Sequence, residues 1–405
     1  MCYEIREFND AESCFEYQAI NATLFRVALS GLDDKAEFVK NFNETVSPDF
    51  FRLGAFADGR LWAAAGFTAY TVNFDHQQLT MHGVGGVVSD FNQPNRGAVK
   101  EIFKKAFKLM KEKNILFSHL YPFEQNYYRQ YGYEVSCEST VWEIPISAFK
   151  GFSGAKFVAF DDSAKMKQEI ADIYKEFSEQ RNMSVVRDKD FWDKFFLENR
   201  AYTSGKKIFV SYVNGVADGF MMYTMKEHED RPSDFIVSRV YFKSFSGLRG
   251  LLSYFSTQKS YSDKVYIHLP ADVDISPIID SCSGFGKRHA SVKISNDGLS
   301  RVVDVEEVLK IAEYRGSGTV TIGITNDPYC PWNTGCFTVK FGETTSVERG
   351  GEPDIEMDIR SFSAGILGRT PLDSLEMFSD VKINGNVENL KKVFYRKKCW
   401  IEEHF

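Results

Sequence analysis

Between residues 97 and 114 apolar and basic positions recur at helical spacing: Val99, Ile102, Phe103, Ala106, Phe107 and Met110 form one stripe, and Lys100, Lys104, Lys105, Lys108 and Lys111 cover the opposite side. Ahead of this helix, apolar runs at 51–57, 61–70 and 79–88 read as strands, with Asp58-Gly59 as the first hairpin turn and a further helix at 36–46. A strand at 115–121 follows and stops at Pro122. Strand, Gly-bearing turn, helix and strand predict a βαβ-like unit that can hold a phosphate at the helix start.

The pattern then repeats in weaker form. Helical stretches at 164–181 and 191–199 precede a hairpin, 208–213 and 216–225, whose turn is the favoured pair Asn214-Gly215. The segment 247–252 leads into a helix and a strand at 265–270, without a second Gly-rich phosphate turn. This second unit therefore reads as a degenerate copy with a structural role. The last part changes character: a short amphipathic helix at 302–312, strands at 319–325, 336–341 and 354–359, then helices at 361–367, 372–378 and 387–394. The expected boundaries are 1–150, 151–288 and 289–405.

Composition narrows the classes. A chain of 405 residues with 43% hydrophobic residues and 36 Phe can fill several cores and is no disordered chain. No run approaches the length of a membrane span, and acidic residues occupy the N-terminus where a signal peptide needs an apolar stretch, so a cytoplasmic protein with no membrane partner is expected. The seven Cys are scattered and never form CxxC, and His is sparse, which predicts reduced thiols and no metal. A formal charge of −7 argues against a nucleic-acid partner and suits a cationic substrate.

The chemistry concentrates between residues 84 and 134. A helix entered through Arg96-Gly97-Ala98 offers main-chain N–H groups and a positive dipole end to the pyrophosphate of a nucleotide such as CoA. A simple turn would use the same residues. One helix and one strand later comes Tyr128-x-x-Tyr131-Gly132-Tyr133, either an aromatic packing cluster or the closure of an acceptor site.

Three motifs together are specific. Gly85-Gly86-Val87-Val88-Ser89, Arg96-Gly97-Ala98-Val99, and Tyr121-Pro122-Phe123 with Tyr128 to Glu134 resemble the enhanced-intracellular-survival family of GNAT N-acetyltransferases. Arg301-Val302-Val303-Asp304-Val305, Cys330-Pro331-Trp332-Asn333, Glu352-Pro353-Asp354 and the terminal Phe405 are similar to that family's third domain. The resemblance implies two tandem GNAT-like α/β domains followed by a sterol-carrier-protein-like α/β domain. It also implies acetyl-CoA as cosubstrate, a small-molecule or peptide amine as acceptor, and a homo-oligomer.

By matching position, Val87, Val88 and Ser89 would line the pantetheine arm, and Asn95, Arg96, Gly97, Ala98, Val99 and Lys100 would form the pyrophosphate turn. Phe123 and Glu124 would lie farther along the cofactor, Tyr128 would be the general acid, and the carboxylate of Phe405 the general base. Pro94 departs from the family, which usually has Arg there, and keeps open a non-catalytic CoA-binding or scaffolding relative. A lipid-binding role of the last domain is the third alternative. An α-carboxylate with a reference pKa of about 3.5 needs desolvation or a bridging water to serve an alkyl ammonium, whereas a phenol near 10 lies only roughly 1.5 units, about 2 kcal/mol, above a thiol.

Overall fold

The computed structural model describes residues 3–25, 34–43, 47, 49–90, 97–201, 203, 205–230, 232–280, 289–296 and 298–403. They fall into two compact units, one of residues 1–136, 298–397 and 403–405, the other of residues 137–297 and 398–402.

The first unit begins with strands β1 (Glu4–Glu7), β2 (Phe50–Ala57), β3 (Arg60–Phe74), β4 (Gln77–Ser89), β5 (Phe117–Leu120) and β6 (Glu134–Val135), and helices α1 (Ala11–Phe25), α2 (Lys35–Asn41), α3 (Ala98–Glu112) and α4 (Gln125–Arg129). Strands β1 to β4 form an antiparallel meander, and β5 joins β4 in parallel. At the β2–β3 turn Asp58 and Gly59 both have positive φ, 53° and 72°, as a type I′ turn requires. The apolar stripe of α3 is buried whole, packed with Leu53, Ala63, Ala65, Phe67 and Val84. Strand alternation sends Ala64 and Val88 to the other face, where Cys14, Tyr17 and Ile20 of α1 cover them.

The second unit has strands β7 (Glu138–Pro145), β8 (Lys156–Ala159), β9 (Lys207–Val213), β10 (Val216–Lys226), β11 (Ser233–Phe242), β12 (Ser262–Pro270) and β13 (Ser291–Asn296), with helices α5 (Ala164–Glu179), α6 (Lys189–Glu198) and α7 (Phe245–Ser253). Its strand order is β13-β7-β12-β11-β10-β9-β8. Asn214 and Gly215 turn the β9–β10 hairpin with φ of 51° and 79°. Its core is aromatic, with Phe177, Phe220, Phe235, Tyr241 and Phe255 fully buried.

After β13 the chain returns to the first sheet. Strand β14 (Leu299–Val302) enters between β5 and β6, giving the order β1-β2-β3-β4-β5-β14-β6. The rest of the first unit carries β15 (Gly318–Ile324), β16 (Gly335–Phe341), β17 (Ser346–Arg349), β18 (Ile355–Met357) and β19 (Lys382–Ile383), in the order β17-β16-β15-β18-β19. Helices α8 (Val305–Ile311), α9 (Ile359–Ile366), α10 (Leu372–Leu375) and α11 (Val387–Val393) accompany this sheet.

The elements with a strong apolar period lie where the pattern predicts them, and the differences are at their ends. The helix expected at 302–312 starts later because Val302 pairs with Phe117 in the sheet and Asp304 caps the helix by accepting from Glu307 N. The strand expected to reach 359 stops at Met357 because Asp358 accepts from Arg360 N and Ser361 N and opens α9. Helices α1 and α4 and strands β1, β6, β7, β8, β11, β13, β14, β17 and β19 are additions to the sequence reading.

Strand β14 brings a charge into the core. Arg301 is fully buried, forms two 2.6 Å hydrogen bonds from Nη2 to the Asp327 carboxylate, donates from Nη1 to the Tyr131 carbonyl, and lies 4.2 Å over the Phe107 ring. Asp327 also accepts from the Cys330 main chain at 3.0 Å and from Asn333 Nδ2 at 2.9 Å. Removing one member of such a pair strands the other charge in the interior. Asp327→Ala is expected to lower unfolding free energy by about 3–5 kcal/mol. Urea denaturation checks this, and a change within about 0.5 kcal/mol, the range of ordinary surface substitutions, would contradict it.

Candidate active site

Strand β4 contains a bulge that opens the sheet. Its ladder with β3 pairs Gly66 with Gly85 and Ala64 with Val88, so Gly86 and Val87 stand opposite the single residue Ala65. Gly86 has φ +56°, and a Cβ there would lie 2.0 Å from the Tyr17 hydroxyl. On its other edge β4 pairs with β5 only from Met81 to Val84, opposite Phe117 to Leu120. Beyond that point β5 ends, and among the described residues no strand lies beside residues 85–89 on that edge.

Alternation decides which main-chain groups face this opening. Asp90 N donates to Trp62 O, and Val88 stands opposite Ala64, so Val88 and Asp90 direct their groups at β3. Val87 and Ser89 direct theirs into the opening. The Val88 side chain is buried in the cluster under α1, Val87 is half-buried against the α3 side, and Ser89 is exposed.

Helix α3 begins at Gly97, which adopts φ +75°, and among the described residues no atom lies within 4 Å of where a Cβ would stand. Its first backbone bond is Glu101 N to Gly97 O, so the N–H groups of Ala98, Val99 and Lys100 precede the first intrahelical acceptor. Ala98 and Val99 bury their side chains, and Lys100 is exposed. Open N–H groups, a left-handed glycine and an uncovered strand edge fit a ligand with amide and phosphate acceptors, as acetyl-CoA has. Asn95, Arg96 and Phe405, and Pro94 with them, lie outside the described residues.

Helix α4 follows β5 by four residues. Glu124 caps it, its carboxylate accepting from Tyr127 N at 2.7 Å, so this carboxylate is committed to the helix end. Phe123 is exposed, with its ring 5.5 Å from that of Tyr128. Tyr128 is buried among Phe103, Phe123, Tyr127 and Tyr133, in the cluster against which Val87 packs. Burial, and secondarily Tyr127, pushes its phenol well above the ordinary range. Among the described residues its hydroxyl makes no hydrogen bond, whereas Tyr133 bonds Ser118 at 2.7 Å.

Residues 12–136 and residues 184–281 each match an acetyltransferase (GNAT) domain model, and residues 305–402 match a sterol carrier protein domain. The chain belongs to the GNAT acetyltransferases. The GNAT chain is similar, over the whole of both chains, to a probable N-acyltransferase from Enterococcus faecalis V583 at 20% identity and TM-score 0.81. A GCN5-related N-acetyltransferase from Anabaena variabilis, at 16% and 0.79, and Eis1 from Mycobacterium abscessus, at 17% and 0.77, are likewise covered in full. At these identities the likeness shows the fold: two GNAT domains followed by a sterol-carrier domain. No curated protein matches the chain.

Two contributors to the candidate site escaped sequence reasoning. Tyr17 sits on α1, whose apolar residues fall on all sides of the helix and leave no stripe to find. Arg301 was quoted as part of a motif, but its hold on the Tyr131 carbonyl crosses 170 residues of chain. Gly86→Ala should destabilise the protein by about 2–3 kcal/mol, from the left-handed φ and the overlap with Tyr17 together. Adding Tyr17→Phe should restore part of this loss in thermal unfolding, and no recovery would show that the backbone alone is responsible.

Proposed function

We propose that this GNAT chain transfers an acetyl group from acetyl-CoA to a primary amine, with the cofactor in the first GNAT domain. The observation that carries the reading is the bulged, uncovered edge of β4 leading toward the glycine-opened helix α3, with the Tyr128 hydroxyl ungrouped in the cluster that Val87 joins. Main-chain groups of Val87 and Ser89 would hold the pantetheine amides, and the N–H groups of Ala98 to Lys100, with Asn95 and Arg96, the pyrophosphate. Phe123 and the capped Glu124 would border the arm.

In this reading the neutral amine attacks the thioester carbonyl, the C–S bond breaks, and the departing sulfur takes a proton. Tyr128 donates it. A phenol pushed upward by burial stays protonated across the working pH range and so is ready to donate; because transfer to a thiolate near 8.5 is uphill, it proceeds through a strong hydrogen bond to the developing charge, and the Tyr128 phenolate recovers its proton from water. The ammonium proton goes to the α-carboxylate of Phe405, directly or through water. Self-association belongs to the same reading, from the family resemblance.

Thiol release from acetyl-CoA with a panel of aminoglycosides, polyamines and peptides tests the function. A rise in melting temperature with acetyl-CoA but no thiol release with any amine would leave a CoA-binding relative instead.

Tyr128→Phe is expected to lower kcat by about 10²-fold with acetyl-CoA affinity nearly unchanged, because the hydroxyl acts only on the leaving sulfur. The acidic limb of the pH profile should survive the substitution, and no basic limb below about pH 10 should disappear with it, since the tyrosine's own titration lies higher. An unchanged kcat would reduce Tyr128 to packing.

A Gly-Ser extension after Phe405 replaces the charged terminus with a peptide group while keeping every side chain. Turnover should fall by about 10²-fold or more at constant acetyl-CoA affinity and thermal stability. Native turnover in the extended protein would remove the carboxylate from the mechanism.

A further inference from the structure

The second unit has the GNAT sheet but a different connection after its splayed strand. Strand β11 pairs with β12 in parallel only from Ser233 to Val237; from there to Phe242 it keeps β10 on one side and, among the described residues, has no strand on the other, as β4 has none beyond β5. In the first unit eight residues, 90–97, separate strand and helix; here Lys243 and Ser244 alone separate β11 from α7. Two residues leave no loop to wrap a pyrophosphate. The end of β11 instead presents Arg239 and Tyr241, and both are engaged by the chain's own C-terminal segment.

That segment, Lys398–Glu402, belongs to the second unit. Asn182 N donates to Lys398 O at 2.8 Å and Trp400 N to Asn182 O at 3.0 Å. Trp400 is buried edge-on to Phe177 and Tyr241. The Glu402 carboxylate accepts from Arg239 Nε at 2.8 Å on one oxygen, and from Arg187 Nη2 at 2.9 Å and the Tyr241 hydroxyl on the other. Arg187 is itself buried and lies 3.9 Å over the Tyr174 ring. Burial opposes ionisation of Glu402, but the two guanidiniums and the Tyr241 hydrogen bond outweigh it and hold the carboxyl below the usual range.

We propose that the second GNAT unit serves as a dock for the chain's own tail, and that the clasp of Arg187, Arg239 and Tyr241 on Glu402 is a positioning device for the terminal carboxylate. The second half rests on the reading of Phe405 as general base. An apolar contact would anchor the tail as firmly, whereas a carboxylate gripped from two directions also sets its orientation. Three residues reach about 10 Å at most, so fixing Glu402 confines the terminus to a small volume. With the clasp released, the buried Ile401 is the next fixed point, four residues and about 13 Å from the end, and the accessible volume grows about twofold.

Glu402→Gln is the test, with Arg239→Gln as a milder variant that keeps the Arg187 and Tyr241 contacts should the first unfold. The expected result is a kcat lower by about twofold or more at unchanged acetyl-CoA affinity. Carboxypeptidase should release Phe405 faster than from the native chain. In the Gly-Ser-extended protein the same substitution should have no further effect on kcat, because a terminus that is no longer a base gains nothing from being positioned. Unchanged Phe405 release in both variants would overturn the dock, and an equal fall in kcat in the extended background would overturn the positioning role. An extended protein as fast as the native one would end the base reading, and the dock would then be judged on Phe405 release alone.

Discussion

The first unit depends on a buried cation delivered by a late strand. Arg301 reaches the interior only because β14 is inserted between β5 and β6, and there it meets an aspartate from the loop after β15 and a carbonyl from the turn after α4. The pair gives little net stability over an apolar substitute, since desolvating both charges consumes most of the Coulombic gain. Its consequence is geometric. A planar guanidinium with fixed donors specifies where the Tyr131 carbonyl lies, and Tyr131 is three residues from Tyr128 on a tightly turned segment. Asn333 extends the network by bonding Asp327, Val303 O and Val305 N, so that the sterol-carrier segment and the tyrosine turn share one set of hydrogen bonds.

A second constraint lies in the sheet itself. One extra residue in β4 bends the strand away from β5, and the bend is possible because Gly86 accepts a left-handed conformation beneath Tyr17. The opening is thus prepared by backbone geometry, and side chains such as Val88 are spent on packing behind it. Tyr128 illustrates the same division. Its ring is held by aromatic neighbours, and burial keeps its hydroxyl neutral and available as a donor.

The two GNAT sheets show how one architecture supports different uses. Both splay after a short parallel pairing, but only the first continues into a long connection with a left-handed glycine at the helix start. In the second, Ser244 caps α7 directly by accepting from Gly247 N. Gly247 packs against the Asp218 main chain, where a Cβ would come within 2.5 Å of its carbonyl oxygen. At the same helix start the Asp218 carboxylate accepts from Ser244 N at 2.9 Å, so an acceptor of the chain's own already stands there.

The apolar period of α3, the Asp58-Gly59 and Asn214-Gly215 turns, and the strands of both GNAT sheets from β2 to β4 and β9 to β10 were determined by the sequence itself, because side-chain alternation and turn dihedrals are local properties. Gly97 was legible for the same reason. Helix α1 was not, since its apolar residues follow no single face until Cys14, Tyr17 and Ile20 meet the sheet. Strand β14 is four residues long and carries a charge, so only the gap between β5 and β6 made it a strand. Nothing adjacent to Glu402 marks it in the sequence; Arg187, Arg239 and Tyr241, distant along the chain, made it a buried anchor. Local periodicity is written in neighbouring residues, whereas the partners of a buried charge are chosen only when remote segments come together.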